Sequence, residues 1–169
     1  QNNYSVTDVH VSDLGFWGNI DWVKPCFYIS GKTGALGSGL WNSSFKNILI
    51  QNFRGDGICF IGGGGPASGL VEYAKLNQFI PLASIRMQSI GHVFKPTENN
   101  PYHALSIAGI NGQFTFNNCS FYGGPDLHDE SGELPYVVSG INVYIGVVKE
   151  GDTMTPNLIN FDTCTFEIG

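Results

Sequence analysis

Residues 45–65 read FKNILIQNFRGDGICFIGGGG, and the fold turns on whether this stretch is a phosphate loop, an adhesive Arg-Gly-Asp tripeptide or one unit of a repeat. The phosphate loop fails on spacing. There is no G-x-x-x-x-G-K-[ST], and Gly55-Asp56-Gly57 is followed by Phe60 where G-x-G-x-x-G needs glycine. No cofactor is expected. The tripeptide reads as the by-product of a corner: Phe53 closes a buried strand, Arg54 points outward, and Gly55-Asp56-Gly57 swing the chain into ICFIG. Gly62 to Gly65 then lead into a long link, where variation and recognition are expected.

The repeat survives, because the pattern recurs. VHVSDLGF (9–16), ILIQNFRG (48–55), IRMQSIGH (85–92), FTFNNCSF (114–121) and INFDTCTF (159–166) each carry apolar residues at the first, third and sixth positions. A polar pair lies between the third and sixth: Ser12-Asp13, Gln51-Asn52, Gln88-Ser89, Asn117-Asn118 and Asp162-Thr163. Alternation gives a strand with one buried face, and the change from a two-residue to a three-residue step makes the chain turn without reversing. Asn and Asp suit the turn because they tolerate left-handed backbone angles. Stacked copies are expected to form polar side-chain ladders.

A second set of short strands alternates with the first: CFYISG (26–31), ICFIG (58–62), ALSIAG (104–109) and INVYIG (141–146). The first three bury Phe27 and Ile29, Ile58 and Phe60, Leu105 and Ile107. The fourth reads with Ile141, Val143 and Ile145 inward, one position out of phase with its terminal glycine. The first-set copies start at 9, 48, 85, 114 and 159, so a constant rung carries links of variable length. The predicted fold is all-β: one domain, residues 1–169, forming a right-handed single-stranded parallel β-helix of about four to five rungs. A β-sandwich is the competing architecture, but its hairpins call for tight Asn-Gly or Asp-Gly turns rather than a polar pair inside an asymmetric apolar motif.

Composition narrows the function. Charged residues are 13% of the chain and the net charge is −6, from 8 basic and 14 acidic residues. There is no basic stripe, so nucleic-acid binding is not expected. No apolar run approaches the roughly 20 residues of a membrane span. The four cysteines, Cys26, Cys59, Cys119 and Cys164, lack the close pairing of zinc sites and sit in apolar runs, as buried free thiols do. The missing initiator Met and the lack of a closing cap lead to the expectation that the chain is a fragment of a longer one.

The hydrophobic-x-hydrophobic, polar-polar, hydrophobic-x-hydrophobic rung, together with FKNILIQNFRGDGICF, resembles the right-handed parallel β-helix proteins of the pectate-lyase-like superfamily, particularly bacteriophage tailspike and appendage proteins. The likeness covers roughly residues 5 to 168. It implies a homotrimer in a virion tail or appendage, or otherwise an extracellular protein, that binds host cell-surface or cell-wall polysaccharide. Its alternatives are a polysaccharide depolymerase, hydrolase or lyase, and a purely structural shaft. The polygalacturonase-like Asn-Thr-Asp, Asp-Asp, Gly-His-Gly and Arg-Ile-Lys set is absent, so no catalytic residue carries over.

Candidate residues follow from chemistry alone. Asp126, Asp129, Glu130 and Glu133 lie within eight residues, and cleaving a glycosidic bond commonly takes two carboxyls facing one sugar. The same loop reads as a calcium site without EF-hand spacing, or as a solvated acidic loop. Trp17, Trp22, Trp41 and Tyr102 lie in or beside links, where aromatic faces stack on sugars or bury a contact. His10 and Arg86 fall in one expected outward column with Leu49, Thr115 and Asn160. A neighbouring column holds Asp8, Asn47, Ser84, Gln113 and Leu158. Such columns offer donors and acceptors to sugar hydroxyls, as does any solvated strand face.

Overall fold

A computed structural model describes residues 5–18, 24–31, 39–63, 76–90, 102–122, 143–148 and 150–167. Among them there is no helix, and all the structure is strand and turn. The strands are β1 (Ser5–Thr7), β2 (His10–Trp17), β3 (Phe27–Ser30), β4 (Gly39–Trp41), β5 (Ser44–Phe53), β6 (Ile58–Ile61), β7 (Asn77–Ile90), β8 (Leu105–Ala108), β9 (Asn111–Asn117), β10 (Ser120–Tyr122), β11 (Val143–Gly146), β12 (Asn157–Asp162) and β13 (Thr165–Glu167). No helix among the described residues is long and apolar enough to cross a membrane.

Two sheets form, and every described pairing is parallel. The larger has five levels: β1–β2, β4–β5, β7, β9–β10 and β12–β13. The smaller stacks β3, β6, β8 and β11. Along the chain the two sheets alternate, which no hairpin sandwich does, since hairpins pair antiparallel.

The corner device is a backbone fact. Asp13, Asn47, Ser84, Asn118 and Thr163 all have positive φ, between 51° and 58°. The registers Ser12↔Lys46, Lys46↔Ala83, Ala83↔Asn117 and Asn117↔Asp162 place these five corners in one column. Five residues earlier a second column turns in the same way: Asp8, Asn42, Phe79, Gln113 and Leu158, with φ from 47° to 59°. Most of these residues are Asp, Asn, Ser or Thr. Phe79, Gln113 and Leu158 are not, and a left-handed angle costs such residues about 1–2 kcal/mol.

The five-residue spacing of corners corrects the expected register. Asp13 pairs with Asn47 rather than with Asn52, and Ser84 rather than Ser89 continues that column, so the second and third motif copies sit one corner too late. The apolar pattern recurs after each corner, so a five-residue shift preserves it. The inward columns are accordingly Val11, Phe45, Leu82, Phe116 and Phe161 before the corner, and Ile48, Ile85, Cys119 and Cys164 after it, with Leu14 in register with Ile48 but exposed. Copies one, four and five are in register as expected. In the smaller sheet Val143 and Ile145 pair with Leu105 and Ile107, so Gly146 meets Ala108 rather than Gly109, the one-position offset read from the sequence.

Between the sheets lies a dry aromatic core. Phe27, Phe45, Phe60 and Phe114 form a chain of edge contacts at centroid distances of 5.6, 6.1 and 4.8 Å, and Phe116 stacks on Phe161 at 4.7 Å. Phe60, Phe114 and Phe116 are fully buried, each contributing roughly 1.5–3 kcal/mol through removal from water. The buried amides of Asn77 and Asn111 are hydrogen-bonded. The buried Asn77 accepts the Leu40 N–H at 2.9 Å and donates to Asn111 Oδ1 at 2.8 Å, while Asn111 donates to the Ala108 carbonyl at 2.8 Å. This pair ties three levels of the larger sheet to the end of β8.

The residue after a corner reaches back to the carbonyl two positions earlier. Ser43 donates to Trp41 O at 2.8 Å, Cys119 to Asn117 O at 3.5 Å and Cys164 to Asp162 O at 3.4 Å. All four cysteines are free thiols. Burial pushes Cys26 and Cys59 up to about 12 and Cys119 up to about 11.

Candidate functional site

On the outer side of the larger sheet a groove of about 560 Å³ runs across the strands, lined by Asp13, Leu14, Gly15, Asn47, Ile48, Leu49, Ser84, Arg86 and Asn118. Its spine is the corner column itself. Levels stack at about 4.8 Å, so four of them give a trench roughly 14 Å long. That length suits a run of linked rings better than a single small ion.

The corners turn their side chains outward, and these bond from level to level. Asn47 donates to Asp13 at 2.7 Å and Asn118 to Ser84 at 3.4 Å. The Asn47 bond, reinforced by one from Ser12, holds the Asp13 carboxyl below its ordinary range, so it stays ionised. Among the described residues each amide keeps an unused oxygen, and the Ser84 hydroxyl can also donate. Two residues beyond the corner the outward column is Gly15, Leu49, Arg86 and Ser120. Gly15 leaves open space: a Cβ built there meets nothing within 4 Å.

The described sequence-derived candidates do not gather in one place. Arg86 lines the groove. His10 lies in a different column, with Ser44, Pro81, Thr115 and Asn160, because of the register correction. Its Nδ1 is 2.8 Å from Ser44 Oγ. Trp17 is 74% exposed at the end of β2, in the column of Gln51 and Gln88, which are themselves hydrogen-bonded. Trp41 is half-buried on β4 near Phe79, with ring centroids 6.5 Å apart. Its indole N–H is shielded from solvent with no acceptor among the described residues. Tyr102 precedes β8, at the smaller sheet. Trp22, Asp126, Asp129, Glu130 and Glu133 lie outside the described residues. Asn47 and Ser84 were legible as outward polar residues, but their company with Asp13 and Asn118 follows only from the register.

A second polar cluster lies against the outer face of the smaller sheet. Asp56 and His103 are 16% and 14% exposed, with Nδ1 3.8 Å from Oδ1. Asp56 Oδ1 accepts the His103 backbone N–H at 2.7 Å, and the His103 ring stacks on Tyr144 at 5.2 Å. Desolvation raises the Asp56 pKa and lowers that of His103. The Arg-Gly-Asp carboxylate is therefore committed to the rung above it, as a corner residue would be. Among the described residues no group of three or more His, Cys, Asp or Glu is placed to hold a metal ion.

Comparison with protein-family models, curated proteins and solved structures gives no match. The chemistry of the surface therefore carries the functional argument.

Proposed function

We propose that this chain is a right-handed parallel β-helix segment of a phage tailspike or appendage, working as a homotrimer on the virion tail, and that it binds host cell-surface polysaccharide along the corner groove. Alternation between two parallel sheets supports a single coil, and parallel crossovers in one sheet are right-handed in the great majority of folds. The groove carries the functional reading. It is a trench spanning four levels, with a carboxylate, two amides and a hydroxyl in a file and a guanidinium in the next column, beside the exposed apolar Leu14 and Leu49. A sugar polymer presents hydroxyls in a row and apolar ring faces, which match such a file.

Binding suits the groove better than cleavage. Among the described residues its one carboxylate, Asp13, is held ionised, whereas glycoside hydrolysis commonly takes a second carboxyl and an acid of raised pKa. The test is capture of purified host-envelope polysaccharide by the full chain. Gly15→Trp places an indole in the trench at a position where an added Cβ meets nothing within 4 Å, and is expected to abolish capture with melting unchanged. Capture equal to wild type would refute the reading.

A further inference from the structure

We propose that the groove selects an acidic glycan, whose carboxylate or phosphodiester group seats against the Arg86 guanidinium. The inference rests on the reading of the groove as a glycan site and names the class of glycan it takes.

Arg86 is exposed on β7, directly beside Leu49 on one level and Ser120 on the next. Neither neighbour is charged. Among the described residues Arg86 has no hydrogen-bond acceptor and no carboxylate partner. The groove's carboxylate, Asp13, stands two levels away, roughly 10 Å. That is about a Debye length at moderate salt, so attraction across it is largely screened. Asp13 is also engaged by Asn47 and Ser12. The other cation near this corner, Lys46, sits on its far side, in the column of Ser12 and Ala83, and does not line the groove.

Among the described residues the guanidinium is thus an unclaimed fork of donors, in a trench whose other polar groups suit neutral hydroxyls. A planar fork matches carboxylate and phosphate oxygens two at a time, which is where Arg is favoured over Lys. The protein's net charge of −6 makes this more selective. An acidic polymer gains nothing from the protein's overall field and is held only where a local cation meets it in register with the hydroxyl-binding corners.

Calorimetric titration of the full chain with three probes tests this: an oligogalacturonate, a glycerol-phosphate oligomer and a neutral dextran oligosaccharide. One acidic probe is expected to bind, and which one does so tells a uronate from a phosphodiester. Arg86→Gln should weaken binding about 10- to 100-fold, the range of a charge-assisted hydrogen bond. Arg86→Lys should recover part of it, and added salt should weaken the wild type more than Arg86→Gln. No binding of either acidic probe by the wild type overturns the inference. Dextran bound as tightly as the acids, with sensitivity to Gly15→Trp but not to Arg86→Gln, also overturns it while leaving the groove as a glycan site. Host-envelope glycan held equally by wild type and Gly15→Trp removes the groove reading as well.

Discussion

Replacing Asn77 by Ala exposes how far this fold depends on its buried amides. Asn77 is fully buried, takes the Leu40 N–H at 2.9 Å and gives a hydrogen to Asn111 Oδ1 at 2.8 Å. Alanine leaves both partners without Asn77, in a place water does not reach. Each buried polar group stripped of its partner costs about 1–3 kcal/mol, so the two together cost about 2–6 kcal/mol. Domains of this kind have about 5–15 kcal/mol in all. Urea unfolding followed by tryptophan fluorescence should show a clearly lower midpoint at unchanged slope. Asn77→Leu combined with Asn111→Leu removes donor and acceptor together. It should cost less than the sum of the two single changes, because the residues share one network. A loss below about 0.5 kcal/mol for Asn77→Ala would refute the claim that the amide pair fastens the two sheets.

The other predictions concern the corners, the titratable cluster and the thiols. Leu158 holds φ at 52° and is 69% exposed, so Leu158→Asn should raise the unfolding midpoint by relieving part of the 1–2 kcal/mol, approximately, that the left-handed angle costs. A fall would show that its side chain has a packing role. His103 has a depressed pKa, so its contribution to stability is present above 6.5 and is lost as pH falls through the folded value. The wild type should weaken below pH 6.5 more steeply than His103→Gln. Asp56 has a raised pKa, so its contribution is present below 3.8 and is lost as pH rises through the folded value. Asp56→Asn keeps an acceptor for the His103 N–H and should match or exceed wild-type stability at pH 7, as read by thermal melts. Cys26, Cys59 and Cys119, pushed to about 12, 12 and 11, should resist a disulfide reagent at pH 8 until the chain unfolds. Fast reaction of any of the three in the native protein would contradict their burial.

Much of the fold was legible because inward apolar residues and corner residues follow different rules. The three-residue step over Ser12-Asp13, Asn117-Asn118 and Asp162-Thr163 marks true corners, and Asp13, Asn118 and Thr163 hold left-handed angles there. The middle levels misled because corners recur every five residues. ILIQNF fits the apolar pattern as well as SFKNILI does, and only pairing across the sheet decides between them. The groove was hidden for the same reason, since a shift of five residues scatters Asp13, Asn47, Ser84 and Asn118 over different columns. Arg86 was recognisable as an outward cation, but its neighbours were not. Trp17 and Trp41 stood out by residue type, yet neither lines the groove, since aromatic identity does not say which column a residue occupies. Cys59 and Cys119 are the small core residues expected, whereas Cys26 and Cys164 are only partly buried against the core. The hydrogen bonds of Cys119 and Cys164 to corner carbonyls follow from position after a turn, which spacing alone did not reveal.

The central claim is that a polysaccharide lies in the groove along the corner column. Chemical-shift mapping of the isotope-labelled chain, titrated with host-envelope oligosaccharide, tests it directly. The largest shifts are expected at the Asn47 and Asn118 side-chain amides, the Arg86 guanidinium and the backbone N–H groups of Gly15 and Ser84, with the β8 and β11 amides unmoved. Shifts confined to the smaller sheet, or to Trp17 and Trp41 with the corner column silent, would contradict it.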